Sequence, residues 1–196
     1  MSVVIVDAGG ANLGSVRYAL RRLGVEPEVA TAADAIRAAE RVIIPGVGAA
    51  APAMARLRAL QLVDVLRSLT QPVLGVCLGM QLLCTRSDEG GVDCLGVIDA
   101  LVEKFAADAT TRIPHMGWNR ASACRDHALC AGAAANGWAY FVHSYAVPVC
   151  PATLAACDHG RPFSAAIARG NFMGVQYHPE RSSAFGAAVL RNFLSL

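Results

Sequence analysis

Pro72-Val73-Leu74-Gly75-Val76-Cys77-Leu78-Gly79-Met80-Gln81 sets a single cysteine between an apolar run and the start of a helical pattern. Its first half, an apolar run opened by Pro72, predicts a buried strand, and Leu78-Gly79-Met80-Gln81-Leu82-Leu83 predicts the start of a helix. Cys77 stands at the join, with Gly75 and Gly79 two residues away on either side. That is the G-x-nucleophile-x-G elbow with cysteine at its centre. A strand-to-helix turn this tight strains the central residue and brings its neighbours so close that only glycine fits on each side. The sulfur is thereby lifted out of the sheet at a helix N-terminus, whose dipole favours a thiolate. The other six cysteines lack such a frame and read as small buried apolar residues.

Upstream of the elbow, strands and helices alternate. Val3-Val4-Ile5-Val6 is an apolar, β-branched run ending at Asp7. Asn12 is the expected N-cap of a helix in which Leu13, Val16, Leu20 and Leu23 repeat at helical spacing and Gly24 closes the turn. A short strand at 28–30, a short helix at 32–39, a strand at 42–44 and a helical pattern through Leu62, Leu66 and Leu69 follow. This alternation predicts an α/β architecture, a mostly parallel sheet with helices on both faces.

Downstream, residues 86–91 read as a polar loop, and Val97-Ile98 and Leu101-Val102 as short apolar pieces. Ile113-Pro114-His115-Met116-Gly117-Trp118-Asn119 carries too many large, special residues for a filler loop, while Pro114 and Gly117 argue against a central strand. Residues 138–142 predict a strand ending at His143-Ser144-Tyr145. Residues 163–169 and 172–177 predict a hairpin around Gly170-Asn171, and Phe185, Val189 and Phe193 a closing amphipathic helix. No linker, repeat or low-complexity segment interrupts the chain, so residues 1–196 are expected to form one domain.

Composition narrows the function classes. Hydrophobic residues make up 55% of the 196 and charged residues 16%, which excludes disorder and predicts a large core. A formal net charge of +2 without basic clusters gives no case for nucleic acid or an anionic membrane. The apolar N-terminal run is too short and uncharged for a signal peptide. Residues 128–157 hold no charge, yet Asn136, His143, Ser144, Pro148 and Pro151 interrupt them, which predicts core rather than a membrane span. Seven cysteines without paired spacing fit a reducing compartment, the cytosol, better than a disulfide framework, and their spacings lack the C-x-x-C arms of a zinc site.

Pro45-Gly46-Val47-Gly48 with Ala51 also satisfies a G-x-G-x-x-A dinucleotide fingerprint. That fingerprint belongs to a first βα turn with an acidic residue ending the next strand, whereas this loop follows a third strand and the next one ends at Cys77. Two readings remain: a plain glycine-rich turn, or a site wall whose bare backbone N–H groups face an oxyanion above Cys77. His178-Pro179-Glu180 supplies the remaining chemistry. Pro179 pushes His178 toward an extended backbone, where residues two apart face one side, so His178 and Glu180 are expected to point together. His178, as a neutral imidazole, would then take the thiol proton, and Glu180 would hold the ring in one tautomer. Cys77, His178 and Glu180 form a candidate triad for acyl transfer through a thioester. A metal site would need further ligands at suitable spacing, and none is visible.

The elbow and His178-Pro179-Glu180 together resemble the class I glutamine amidotransferases. Asp7-Ala8-Gly9-Gly10-Ala11-Asn12-Leu13, Pro45-Gly46-Val47-Gly48, Pro114-His115-Met116-Gly117-Trp118-Asn119 and Phe141-Val142-His143-Ser144-Tyr145 are similar, more narrowly, to the glutaminase subunits of imidazole glycerol phosphate synthases of histidine biosynthesis. The likeness runs from Ser2 to the C-terminus. It implies a flavodoxin-like fold with added antiparallel strands in the C-terminal half, and no cofactor. Glutamine would be the substrate, its carbonyl oxygen facing the N–H of Leu78 and one from Val47 or Gly48. Gln81 and the backbone around Ser144 and Tyr145 would hold its amino-acid end. Ammonia would leave past Pro114, His115, Met116, Gly117, Trp118 and Asn119 into the cyclase subunit of the synthase, whose (β/α)8 barrel would bind as a heterodimer. The alternatives are a glutaminase serving an anthranilate or pyridoxal phosphate synthase, or a non-catalytic relative sensing oxidation at Cys77.

Overall fold

The computed structural model describes residues 1–9, 12–107, 111–133 and 136–196. Gly10 and Ala11 of the Asp7-to-Leu13 motif lie outside the described residues. The first half runs β1 (Val3–Val6), α1 (Leu13–Arg22), β2 (Glu28–Ala30), α2 (Ala33–Ala38), β3 (Arg41–Gly46), α3 (Ala50–Ala59), α4 (Val63–Arg67), β4 (Val73–Cys77) and α5 (Leu78–Leu82). The second half runs β5 (Arg86–Ser87), β6 (Val92–Asp93), β7 (Leu101–Lys104), β8 (His115–Ala123), β9 (Asn136–His143), β10 (Tyr145–Ala146), β11 (Thr153–Asp158), β12 (Pro162–Arg169), β13 (Phe172–Val175) and α6 (Ser183–Leu194).

Nine strands form one sheet in the order β2-β1-β3-β4-β13-β12-β11-β8-β9, and β10-β7-β5-β6 form a smaller one. From β2 to β13 every neighbour is parallel, in the 2-1-3-4-5 order of flavodoxin-like sheets; from β13 to β9 every neighbour is antiparallel. The parallel strands bury both faces, so their residues divide by alternation. Val4, Val6, Val42 and Ile44 meet Ile36, Met54, Leu57 and Leu66 of α2, α3 and α4. Val3, Ile5, Ile43 and Leu74 meet Val16 and Leu20 of α1 and Val189 and Phe193 of α6. No helix among the described residues is long and apolar enough to cross a membrane.

Several local expectations change. Residues 86–91 are part of the β5–β6 hairpin rather than a plain loop. The 114–119 segment enters β8, where residues 115–119 pair with β9 alone and β11 joins only at Ser122 and Ala123, so this part of the strand is not central, as Pro114 and Gly117 suggest. Asn12 does not cap α1: it sits at φ 98°, and its side chain is directed elsewhere.

The elbow depends on two close approaches. A Cβ at Gly79 would overlap the Ile44 carbonyl oxygen of β3, and one at Gly75 would come within 2.5 Å of the Gly79 carbonyl oxygen. Backbone cannot yield as a flexible side chain can. Gly79→Ala is therefore expected to cost about 3 kcal/mol, the upper end for overpacking, or to prevent folding. Urea unfolding checks it: a midpoint equal to that of the parent chain would show that α5 does not press on β3 as described.

Candidate active site

Cys77 ends β4 with φ 54° and ψ −111°, a strained conformation for a residue with a side chain. It lies beside Gly46 at the end of β3 on one side, while β13 pairs with β4 on the other. The chain leaving β13 therefore passes the elbow at once, which brings His178 to Cys77. The sulfur also lies 3.8 Å from the Val142 carbonyl oxygen and 3.7 Å from Nε2 of Gln176.

His178 and Glu180 meet, with Nδ1 and Oε1 2.9 Å apart. His178 itself is extended, as expected, at φ −93° and ψ 98°, but the extension does not continue to Glu180. Pro179–Arg181 is a 3-10 turn, and the turn folds Glu180 back under the imidazole. The His178 backbone is pinned from both sides: its N–H donates to the Tyr140 carbonyl of β9, and its carbonyl accepts from the Ser182 hydroxyl. Burial disfavours the imidazolium, but the hydrogen bonds to the Cys77 sulfur and the Glu180 carboxylate outweigh it and push His178 up to about 10. These contacts suit His178 to hold the proton that it takes from the thiol. Burial would raise Glu180, yet its hydrogen bond to His178 holds the carboxyl below its ordinary value, helped by the Asn12 amide at 2.7 Å.

Cys77 and His178 open onto a cavity of about 260 Å³. Leu78, Val47, Gly48, Gln81, Ser144, Tyr145 and Pro114 line it, so the expected oxyanion and substrate residues converge on the sulfur. Gly48 is at φ 101°, a conformation that favours glycine. Gln81 is buried, and its Nε2 donates to the Tyr145 carbonyl at 2.9 Å and to Oε1 of Gln176 at 3.0 Å. A larger cavity of about 330 Å³ shares Val47, Gly48 and Leu78 but includes neither Cys77 nor His178 in its lining.

The remainder of the 114–119 segment stands outside the cavity. His115 is buried behind it, 3.0 Å from His143 and 3.1 Å from the Asn119 amide. Met116 and Trp118 are 64% and 51% exposed and face outward, with Gly117 between them. Their strand therefore connects the cavity wall at Pro114 to an apolar surface, which Trp138 of β9 extends.

Four residues take roles in the site that the sequence expectations do not give them, although Asn12 and His143 lie within quoted motifs. Asn12 orients Glu180 instead of capping. Glu89 lines the cavity and accepts the N–H of Ala50 at the start of α3. His143 lines it and donates from Nδ1 to the Tyr145 carbonyl at 2.8 Å. Gln176 lies under the sulfur. Only the position of Gln176 next to Tyr177 and His178 gives any signal. Burial pushes the thiols of Cys94, Cys130 and Cys157 up, to about 11 for Cys94 and about 12 for Cys157, and Cys84 higher still. None of these four has the Cys77 setting.

With the site described, comparison with known proteins adds the following. Residues 4–196 match the model of the family "Glutamine amidotransferase class-I". The chain is 55% identical over 194 residues to imidazole glycerol phosphate synthase subunit HisH of Xanthomonas campestris pv. campestris strain 8004, covering 99% of this chain and 97% of that one. It is 52% identical over 194 residues to the subunit HisH of Xylella fastidiosa strain Temecula1, with the same shares covered. Among solved structures it is similar to a glutamine amidotransferase, with a TM-score of 0.76 at 20% identity over 99% of this chain and 98% of that one. A glutamine amidotransferase from Thermotoga maritima aligns with a TM-score of 0.65 at 16% identity, covering 100% of this chain and 81% of that one.

Proposed function

The chain belongs to the class I glutamine amidotransferase family, and from that premise we propose that it is the glutaminase subunit of an imidazole glycerol phosphate synthase in histidine biosynthesis, acting in the cytoplasm as one domain over residues 1–196. The observation that carries the reading is the convergence of Cys77, His178, Leu78, Gln81 and the Val47-Gly48 loop on one cavity. Glutamine enters with its side-chain carbonyl over Cys77. The sulfur attacks that carbon, the carbonyl electron pair moves onto oxygen, and the N–H groups of Leu78 and the Val47-Gly48 loop receive the oxyanion. His178 gives its proton to the departing nitrogen, which leaves as ammonia with a thioester behind it. Water, deprotonated by His178, then releases glutamate. Glu180 and Asn12 keep the imidazole oriented throughout. At the other end of glutamine, the Glu89 carboxylate and Gln81 Oε1 suit the α-ammonium, and the backbone around Ser144 and Tyr145 suits the carboxylate.

Ammonia passes to the cyclase of the synthase, whose (β/α)8 barrel forms a heterodimer on the Met116 and Trp118 surface. The support is the course of β8, from Pro114 at the cavity to exposed apolar side chains within a few residues. Val47 and Gly48 also line two cavities, which leaves a peptide plane there room to turn. One well-aimed oxyanion donor is worth roughly 3–4 kcal/mol, or 10²–10³-fold in rate. The partner's substrate-loaded state could switch the site by turning one N–H toward Cys77. Glutamate release is therefore expected to be slow for the chain alone, little changed with empty cyclase, and about 10²–10³-fold faster with ligand-loaded cyclase. Equal rates in the three mixtures would remove the switch, and no release in any of them would remove the glutaminase reading.

A further inference from the structure

We propose that Gln176 is a further catalytic residue of this site, whose side-chain N–H donates to the Cys77 sulfur and favours its thiolate. The consequence for turnover rests on the function proposed above; the hydrogen-bond geometry does not. A backbone carbonyl only accepts, so the Tyr145 oxygen, 2.9 Å from Gln81, must face the Gln81 amide nitrogen. The second N–H of that nitrogen points to Gln176 at 3.0 Å and requires an acceptor there, which fixes Oε1 of Gln176 toward Gln81. Nε2 of Gln176 is then turned to the sulfur, 3.7 Å away.

Turning Gln176 over would set two NH2 groups face to face, with Gln176 fully buried and Gln81 only 4% exposed. Turning both amides over would press the Gln81 oxygen against the Tyr145 carbonyl. One backbone carbonyl therefore orients both glutamines. That carbonyl is held in turn by Nδ1–H of His143 at 2.8 Å. Nε2 of His143 then accepts from Nδ1–H of His115 at 3.0 Å, and Nε2 of His115 accepts from Asn119 at 3.1 Å. Burial keeps both imidazoles uncharged, pushing His143 down to about 3 and His115 down to about 4. Each neutral ring has one donor and one acceptor, and both are used in the same direction. The row runs from Asn119 on β8 to the sulfur, with every hydrogen assigned.

A thiolate accepts an N–H far better than a thiol does, so this donor stabilises the charged sulfur beside His178. It also stabilises the same sulfur as the leaving group when water opens the thioester. Gln176→Met keeps the volume and removes the donor; Gln176→Glu keeps the shape and replaces N–H with an acceptor. The test is the rate of Cys77 alkylation by iodoacetamide, read by mass spectrometry with the other six cysteines as controls. Both variants are expected to react about tenfold more slowly than wild type at pH 7, with the difference closing as the pH is raised to 10. Glutamate release with loaded cyclase should fall by a similar factor. A pH 7 rate within twofold of wild type would overturn the proposal, as would a deficit unchanged at pH 10, which marks altered access rather than altered ionisation. If circular dichroism shows that neither variant folds, ¹⁵N-glutamine labelling of wild type decides, since the chain has only four glutamines. A buried side-chain amide must then shift when Cys77 is alkylated, and no shift overturns the proposal. Wild type that alkylates as expected but never releases glutamate would sink the function and leave the donor standing.

Discussion

Cys77→Ala is expected to lose glutamine-dependent turnover by about 10⁴-fold or more while the chain folds and binds its partner normally. Alanine fits the positive-φ position no worse than cysteine, and the close contacts of the elbow belong to Gly75 and Gly79. The substitution removes the sulfur and little else. None of the four thiols that burial pushes up shares the cavity with His178. Ammonium salts should still feed the partner's reaction, because the variant interrupts supply rather than use. Glutamate formation measured with loaded cyclase decides it. Substantial glutamine turnover in this variant would move the nucleophile elsewhere.

The other two triad positions are expected to give graded losses. His178→Ala removes the group that carries a proton to the leaving nitrogen and should cost on the order of 10²–10⁴-fold in kcat. Glu180→Gln keeps the shape, so the loss should be smaller: the amide oxygen can still face Nδ1 of His178 at the observed 2.9 Å, without the charge that stabilises imidazolium. Its double contact adds a second cost, since the Asn12 amide that now donates to Oε1 would meet a neutral acceptor. The order Cys77, His178, Glu180 is the claim, and steady-state kinetics of the three variants side by side check it. A Glu180→Gln loss equal to that of Cys77→Ala would give Glu180 more than an orienting role.

The elbow is legible because its requirements are local. A strand, a strained residue and two glycines in contact range occupy ten consecutive positions, and the parallel sheet follows from the strand–helix alternation around them. His178 and Glu180 are legible as a pair, and His178 is extended as Pro179 favours, but a 3-10 turn rather than continued extension brings Glu180 to it, which the fixed φ of Pro179 permits as readily. What escapes depends on distant segments. Asn12 looks like a cap because asparagine before an apolar repeat usually is one; its amide instead spans 168 residues to Glu180. α3 is hidden in an alanine-rich run whose periodicity is faint, with Pro52 in its first turn, where proline is tolerated. β11 has no charged partner residues to set an alternation, since both of its neighbours bury it. Gln176 beside Tyr177-His178 and His143 within Phe141–Tyr145 stand in recognisable stretches, but no local pattern states their hydrogen-bonding roles. Their roles come from which donor meets which acceptor across four strands and one helix.

An isotope competition measures whether ammonia made at Cys77 is handed to a docked cyclase. The complete complex is supplied with glutamine labelled by ¹⁵N at the side-chain amide in a bath of excess unlabelled ammonium. Imidazole glycerol phosphate is then analysed by mass spectrometry. The product nitrogen is expected to carry the label almost completely, with one glutamate released per labelled product. Product carrying the isotope ratio of the bath would contradict it.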